Sequence, residues 1–219
     1  MFTDGRWPRA SSNSVNIPRT VEFQEVIRGR RMTRAFTRTG VPSEILENCI
    51  DLALRAPSAG KAQGWHLLMF SHEDTMQYWD IALTESDRQG FAFPALLNAP
   101  VVMLSLADTD AYLSRYSEPD KSHTGLGTSL EMWPAPYWTI DASFSTMTLL
   151  HALHDQGVSS LFFAHARETE LRAAFGIPDS VQILGVIAAG YPEDAPQRPG
   201  RSAQRPRRTS NEIIHHLKW

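Results

Sequence analysis

The amino-acid sequence predicts one α+β or α/β domain, built on a single central sheet with helices on both sides. Apolar runs of strand length alternate with segments of helical periodicity, and no internal repeat interrupts the alternation. The chain has 219 residues, which is enough for one sizeable core. We therefore expect a single domain over residues 21–219, preceded by a polar arm over residues 1–20 that contains prolines and a Ser/Asn run.

Two segments carry the clearest helical periodicity. In the first, Ser43 is the predicted N-cap, apolar residues repeat every three or four positions, and Pro57 stops the helix. The second covers residues 141–155, and its wide apolar face predicts a central helix that is buried against the core or against a partner subunit. That face includes Phe144, Met147, Leu150 and Leu153. Further helices are predicted over residues 21–28, 74–83, 168–175 and 211–217.

Four apolar runs are predicted as strands, over residues 65–70, 99–106, 160–164 and 181–189. Residues 108–138 separate two of these elements, have weak periodicity and are rich in aromatic side chains. Structureless loops of this length are uncommon in compact domains, so the segment is predicted to be an insertion that covers a pocket, with packing over the core as the alternative. The predicted substrate-pocket residues are Tyr112, Tyr116, Trp133, Tyr137 and Trp138.

The charge balance restricts the class of partner. A net charge of −3 argues against a general nucleic-acid binder, whereas basic clusters at residues 28–38 and 198–208 suit a small anionic ligand. The single cysteine, Cys49, lies among apolar residues at helical spacing and is predicted to be buried. No apolar run approaches the ~20 residues of a membrane-spanning helix, and the first residues lack the apolar core of a secretory signal, so we expect a cytoplasmic protein with no membrane partner.

Two short motifs indicate ligand chemistry. Arg30, Arg31 and Arg34 place three guanidinium groups within five residues, an arrangement that suits a phosphate. The loop that begins at Pro57 and Ser58 can turn backbone N–H groups toward a ligand, which suits a planar heterocycle. By contrast, His151 and His154 have no His-Glu-x-x-His frame around them, and we expect no metal site.

The order of these motifs resembles the nitroreductase-like family of FMN-dependent oxidoreductases. In the N-terminal half, Arg-Arg-x-x-Arg-x-Phe is followed by a helix, then by Ala-Pro-Ser, and then by Gln-x-Trp at the start of a strand. In the C-terminal half, the matching segments are Gly157 to Ala164, Gly190-Tyr191-Pro192 and Pro206-Arg207-Arg208. The resemblance implies an α+β fold with a mainly antiparallel sheet between helices, assembled as an intertwined homodimer with shared active sites.

The resemblance also implies an activity. Family members use FMN and accept a hydride from NADH or NADPH at flavin N5. They then reduce nitroaromatic compounds, quinones or similar electron-poor molecules in a ping-pong sequence. The flavin carries the redox chemistry, so no side-chain nucleophile is required. Two alternatives stay open: a flavin-binding or sequestering protein without turnover, and a sibling flavin reaction such as reductive dehalogenation.

The resemblance implies the following roles for individual residues. The phosphate and ribityl chain would contact the basic cluster, with Met32 where the family usually has Ser or Thr. The flavin ring would contact the loop, where Lys61 replaces an Asn and could place an ammonium group beside the ring. The residues implied to bind the cofactor are Arg30, Arg31, Met32, Arg34, Pro57, Ser58, Ala59, Lys61, Gln63, Phe162, Phe163, Ala164, Arg205 and Arg207.

Overall fold

A computed structural model describes residues 22–194, 200 and 202–219 of the chain. The predicted N-terminal arm, residues 1–20, lies outside the described residues. Within them, four strands form one sheet in the order β1-β2-β4-β3, and every neighbouring pair is antiparallel. The strands are β1 (Trp65–Ser71), β2 (Val101–Asp108), β3 (Ser159–Phe163) and β4 (Val181–Gly190). The antiparallel pairing confirms the predicted α+β class.

The described residues form seven α-helices, which flank the sheet on both faces. The longest, α6, packs against α2 and crosses one face of the sheet, while α3 and α7 pack against each other on the other face. No helix within this part of the chain is long and apolar enough to span a membrane. The helices are α1 (Phe23–Gly29), α2 (Ser43–Ala53), α3 (Thr75–Ala82), α4 (Glu85–Gln89), α5 (Asp110–Ser117), α6 (Tyr137–Asp155) and α7 (Glu168–Phe175).

The strands divide their side chains between two hydrophobic cores because successive residues point to opposite faces of a sheet. On β2, Val102 and Leu104 pack in the core beside α3 and α7, whereas Met103 packs in the core beside α2 and α6. Cys49 of α2 lies in the second core, fully buried, as the sequence predicted. Burial raises the pKa of the Cys49 thiol to about 11, so this side chain behaves as a small core residue rather than a nucleophile.

Residues 108–138 contain more regular structure than their weak periodicity predicted. They contain α5 and several short turns, and α6 begins at Tyr137, four residues before the predicted start. The periodicity of α5 is weak because only Tyr112 is buried among its residues. Pro136 occupies the N-cap of α6, where the proline ring removes no helical hydrogen bond.

Two smaller predictions were wrong, and a third was met only in part. Ser43 is the first residue of α2. The N-cap is Pro42, whose side chain has no hydrogen-bonding group that could cap the helix. The predicted C-terminal helix over residues 211–217 is only a single 3₁₀ turn, Ser210–Glu212. On α6, Leu150 and Leu153 are buried as predicted, whereas Phe144 and Met147 are 48% and 38% exposed in the single chain, so the core accounts for only part of the predicted apolar face.

The close contact of β3 with β4 generates a stability prediction. A Cβ atom at Gly185 would lie 2.5 Å from the Phe162 ring and 2.8 Å from the Phe163 carbonyl oxygen. Gly185→Ala should therefore lower the free energy of unfolding by about 1–3 kcal/mol, the usual effect of overpacking. Gly90→Ala is the matched control, because the nearest atom to its added Cβ is 3.9 Å away. Urea unfolding measures both; equal midpoints for the two variants would contradict the prediction.

Candidate functional site

The basic segment is held against the edge of the sheet by backbone contacts. It leaves the C-terminus of α1, where the Arg30 amide donates to the Val26 carbonyl oxygen. Met32 then forms an isolated bridge with Ser160 of β3, and the Thr33 amide donates to the Ser160 carbonyl oxygen at 3.0 Å. These contacts fix the backbone on which the arginines are carried.

A cavity of about 1230 Å³ lies between the basic segment, α6 and the C-terminal part of the chain. Its wall contains Met147 and His151 from α6 and Gly200 and Ser202 from the C-terminal part. The cavity brings together four guanidinium groups that the sequence predicted for a phosphate, although one of them is distant along the chain. They belong to Arg30, Arg31, Arg34 and Arg207.

The arginines of the cavity are not equivalent. Arg31 donates to the carbonyl oxygens of Arg28, Gly29 and Arg30, so it also caps the end of α1. Arg34 donates to the Met32 carbonyl oxygen at 3.0 Å. In contrast, Nη1 of Arg30 is buried without a hydrogen-bond partner among the described residues.

The electrostatics of the cavity favour an anion. Burial, and then the charges of Arg207 and Arg31, lower the pKa of Arg30. The pKa values of His151 and His154 are lowered too, by burial first and by the charge of Arg30 second. Cations therefore repel one another here, and a buried donor has no partner among the described residues. A dianionic phosphate in the cavity would reduce both of these costs. The residues present fit the phosphate of FMN.

The loop over residues 57–63 has an unusual backbone. Gly60, Lys61 and Gln63 have φ angles of 57°, 62° and 56°, in the left-handed region that Lys and Gln seldom adopt. The Gln63 amide donates to Ser58 Oγ at 3.1 Å, and the Lys61 amide donates to the Ser58 carbonyl oxygen at 2.9 Å. The side chains of Lys61 and Gln63 are exposed. Strained backbone of this kind clusters at ligand-binding sites.

Helices α5 and α6 hold this loop in place. Oδ2 of Asp141 accepts from the Ala59 amide at 2.7 Å. Nε of Arg115 donates to the Gly60 carbonyl oxygen at 2.7 Å, and the Tyr116 ring is so close to Gly60 that an added Cβ would lie 2.9 Å from it. The loop is therefore braced from two sides.

Within one chain the loop and the cavity do not meet. The loop contacts α6 at Asp141, whereas the cavity contacts α6 at Met147 and His151, six and ten residues further on. At 1.5 Å per helical residue, these separations are about 9 and about 15 Å. No residue of the loop lines the cavity.

The other predicted cofactor contacts also lie apart from the cavity wall. Phe163 stacks on Trp79 at 6.0 Å between ring centroids, in the core beside α3 and α7. Phe162 faces the opposite core and packs over Gly185, and Ala164 is exposed. Arg205 is exposed and does not line the cavity, although Arg207 does.

The predicted substrate-pocket residues form a cluster of rings that pack on one another. Trp133 is at the centre and contacts the four other rings of the set at centroid distances from 4.6 to 6.3 Å. Tyr112 and Trp133 are 1% and 8% exposed, so they lie behind the surface rather than on it. Tyr116 and Trp138 are half-buried and Tyr137 is exposed.

Sequence reasoning did not place Met147 or His151 in the cavity wall. Both lie on α6, four positions apart, and therefore on one face of the helix. This i, i+4 spacing was visible in the sequence. However, only the fold shows that this face of α6 is turned toward Arg30.

Comparison with known proteins decides the family. The sequence profile described as Nitroreductase family matches residues 27–191, most of the chain. The chain belongs to the nitroreductase family. The matched residues include the basic segment, the loop over residues 57–63, α6 and all four strands.

Individual members of the nitroreductase family differ from this chain in most positions. A candidate NADH dehydrogenase/NAD(P)H nitroreductase from Archaeoglobus fulgidus is 26% identical over 178 residues, which cover 79% of this chain and 87% of the relative. A 4-nitrobenzoate reductase from a Nocardioides strain is 27% identical over 207 residues, covering 82% and 83% of the two chains. A crystal structure of a candidate nitroreductase from Exiguobacterium sibiricum in complex with FMN superposes with a TM-score of 0.66 at 18% identity, covering 90% of this chain and 97% of that one.

The histidines beside Arg30 predict a pH dependence of stability. A histidine whose pKa is lower in the folded than in the unfolded chain binds fewer protons when folded. The free energy of unfolding of the ligand-free protein should therefore fall as the pH drops from about 7.5 to about 5.5, through the ordinary histidine pKa of about 6.5. Arg30→Met should reduce this fall, because it removes one of the charges that lower the pKa of His151 and His154.

Urea unfolding at several pH values measures this dependence. Arg38→Met is the control, because Arg38 is exposed and does not line the cavity. A pH profile that is the same for Arg30→Met and Arg38→Met would disprove the electrostatic coupling.

Proposed function

We propose that this protein is an FMN-dependent NAD(P)H oxidoreductase that reduces nitroaromatic compounds, quinones or similar electron-poor small molecules. The observation that carries the proposal is the cavity that Arg30, Arg34 and Arg207 line together, in which Nη1 of Arg30 is buried without a hydrogen-bond partner among the described residues. The names of the relatives support the reaction class, since one is named for NAD(P)H and nitro compounds and another for 4-nitrobenzoate. A structural neighbour that binds FMN supports the identity of the anion.

The residues of the cavity would bind the phosphate end of the cofactor. Arg30, Arg34 and Arg207 would donate to the phosphate oxygens, and Met32 and Thr33 would lie along the ribityl chain. Bound FMN would supply hydride exchange at N5, with NAD(P)H and the acceptor using the same ring face in turn. The loop residues Ser58, Lys61 and Gln63 would contact the ring and orient it, and Lys61 would stabilise negative charge on it.

We also propose that two copies of the chain share their sites. Each FMN would contact the cavity of one copy and the loop of the other, because the two lie about 9–15 Å apart along α6 of one chain. Phe144 is exposed on α6 between the loop and the cavity, and Met147 is exposed at the near edge of the cavity. A two-fold contact that covers them with antiparallel α6 helices would place each loop beside the cavity of the partner.

The acceptor would bind next to the aromatic cluster. Tyr137 is its exposed ring, and Tyr116 and Trp138 are partly accessible, so these three side chains would form the stacking surface. Tyr112 and Trp133 would support them from behind. Residues 21–219 would thus act as a single domain in which residues 108–138 contribute one wall of the pocket.

The purified protein tests the proposed function directly. The absorption spectrum should show an oxidised flavin, and mass analysis of the material released on denaturation should identify FMN. Addition of NADH or NADPH should bleach the flavin, and 4-nitrobenzoate or a quinone should restore it. A yellow protein that stays oxidised with both nucleotides would indicate a binding protein without turnover. A colourless protein that does not take up added FMN would refute the proposal.

The phosphate assignment predicts the effect of a double substitution. Arg30→Ala with Arg207→Ala should abolish copurification of FMN, because each bond to a charged group contributes about 1.5–3 kcal/mol. The apo protein should lose little stability, since these two cations repel each other in the cavity. The control is Arg38→Ala with Arg55→Ala, two exposed arginines outside the cavity. Flavin content per chain and thermal unfolding provide the readouts, and a double variant with full flavin content would contradict the assignment.

The proposed dimer predicts the effect of a charge on α6. Phe144→Glu should shift the protein from dimer to monomer and remove most of the bound FMN, because a carboxylate would be buried at the centre of the contact. Met76→Glu is the control, an equally exposed apolar residue on α3 at the opposite face of the sheet. Size-exclusion chromatography with light scattering measures the mass. A Phe144→Glu variant that remains dimeric and flavin-bound would exclude this interface.

A further inference from the structure

Asp141 is a buried carboxylate that the proposed reaction does not use directly. Only 6% of the residue is exposed, and it forms no ion pair with any residue that the structure describes. Its Oδ2 atom accepts two hydrogen bonds, from the Tyr112 hydroxyl at 2.9 Å and from the Ala59 amide at 2.7 Å. A buried charge without a cation is unfavourable. One of these two hydrogen bonds should therefore explain why a carboxylate is found at this position.

The contact with Ala59 controls the conformation of the loop over residues 57–63. Ala59 begins the turn whose next residues, Gly60 and Lys61, are both left-handed. Conformations that are unfavourable for a lysine persist only where the surroundings fix them. The Asp141 carboxylate supplies such a fixed point at the start of the turn, and Arg115 supplies a second one at the Gly60 carbonyl oxygen.

Tyr112 keeps the carboxylate in place from the opposite side. The pKa of its hydroxyl is raised, first by burial and then by the hydrogen bond and the negative charge of Asp141. The hydroxyl therefore stays protonated, and continues to donate to Asp141, beyond the ordinary titration range of a tyrosine. The remaining cation that contacts the loop, Arg115, is neutralised by Asp120 and Glu118, so it adds little charge of its own.

We infer that Asp141 is a positioning residue that sets the reduction potential of the flavin through Lys61. By holding the Ala59 amide, it fixes the backbone that carries Lys61, whose ammonium group would lie beside the ring of bound FMN. A fixed ammonium stabilises the negative charge of the reduced ring, whereas a mobile one is solvated and screened. This inference rests on the proposed function, and it gives a residue of α6 a part in setting the reduction potential of the flavin.

The first experiment needs no flavin. Hydrogen exchange of the Ala59 amide is measured in the apo protein and in two variants, Asp141→Ala and Asp141→Asn. Exchange should be about tenfold to a hundredfold faster in Asp141→Ala, the factor expected for a lost hydrogen bond to a charged group. Asp141→Asn keeps an oxygen acceptor and should restore most of the protection. Thr146→Ala is the control, because it removes buried hydrogen bonds of α6 to Ser105 and Ala142 but none to the loop.

The second experiment measures the midpoint potential of the bound flavin. Asp141→Ala and Lys61→Met should each lower it, and the double variant should be no lower than Lys61→Met alone, because Asp141 acts through Lys61. Asp141→Asn and Thr146→Ala should leave it near the original value. The rate of flavin reduction by NAD(P)H should fall by up to about a hundredfold in Asp141→Ala, the cost of a misplacement of about 1 Å.

Ala59→Pro tests the same contact from the loop side and is decisive if Asp141→Ala does not fold. Proline removes the donor, and the extended Ser58 before it, with φ −139° and ψ 148°, suits a residue that precedes proline. This variant should lower the potential as Asp141→Ala does. An unchanged potential in Ala59→Pro, or additive shifts in the double variant, would overturn the inference. Absence of flavin from the unaltered protein would instead refute the proposed function, and the exchange result would remain.

Discussion

Repulsion between the guanidinium groups of the cavity is the unfavourable interaction that the structure around it has to offset. Arg30 and Arg207 are far apart in the sequence, and the charge of Arg207 lowers the pKa of Arg30. The backbone contacts of Met32 and Thr33 with Ser160 offset this cost by pinning the basic segment to the edge of β3. A protein built in this way gains stability from whatever anion neutralises the cavity, since ligand binding to the folded state alone shifts the unfolding equilibrium.

The second unfavourable feature, the left-handed loop, is stabilised by a different part of the structure. Its hydrogen bonds go to Asp141 and Arg115, which lie on α6 and α5. Asp141 in turn depends on the buried Tyr112 hydroxyl, so the aromatic cluster supports the loop whether or not it contacts a substrate. The apolar sheet and the core under α2 and α6 provide the rigidity that both strained features require.

The sequence was sufficient for the parts of the fold that repeat a simple pattern. The observed strands begin and end within two residues of their predicted limits, because each contains a short, mainly apolar run of strand length that is flanked by turn or helix signals. Helix α5 was not predicted because its polar surface leaves Tyr112 as its single buried residue. The start of α6 was misplaced because Pro134 and Pro136 indicate a loop when read locally, although a proline is compatible with a helix N-terminus.

The sequence predicted those residues of the candidate site that are close together along the chain. Arg30, Arg31 and Arg34 are neighbours in the sequence, and Arg207 followed from the family resemblance; all four line one cavity. His151 could not be assigned to the cavity wall, because the sequence does not show which face of α6 is turned toward α1. Asp141 was missed for the same reason. A single aspartate on a predicted helix gives no sign that its carboxylate will be buried and will accept a hydrogen bond from an amide 82 positions earlier.

One helix therefore connects the two halves of the proposed site. Asp141 near the N-terminus of α6 orders the loop, and His151, almost three turns later, belongs to the cavity wall. The exposed Phe144 and Met147 lie close to the midpoint between them. In the proposed dimer, a two-fold axis near that midpoint would exchange the two ends of α6, so a single symmetric contact would bring the loop of each copy to the cavity of the other. The proposed contact would also cover two large apolar residues whose exposure is otherwise unfavourable.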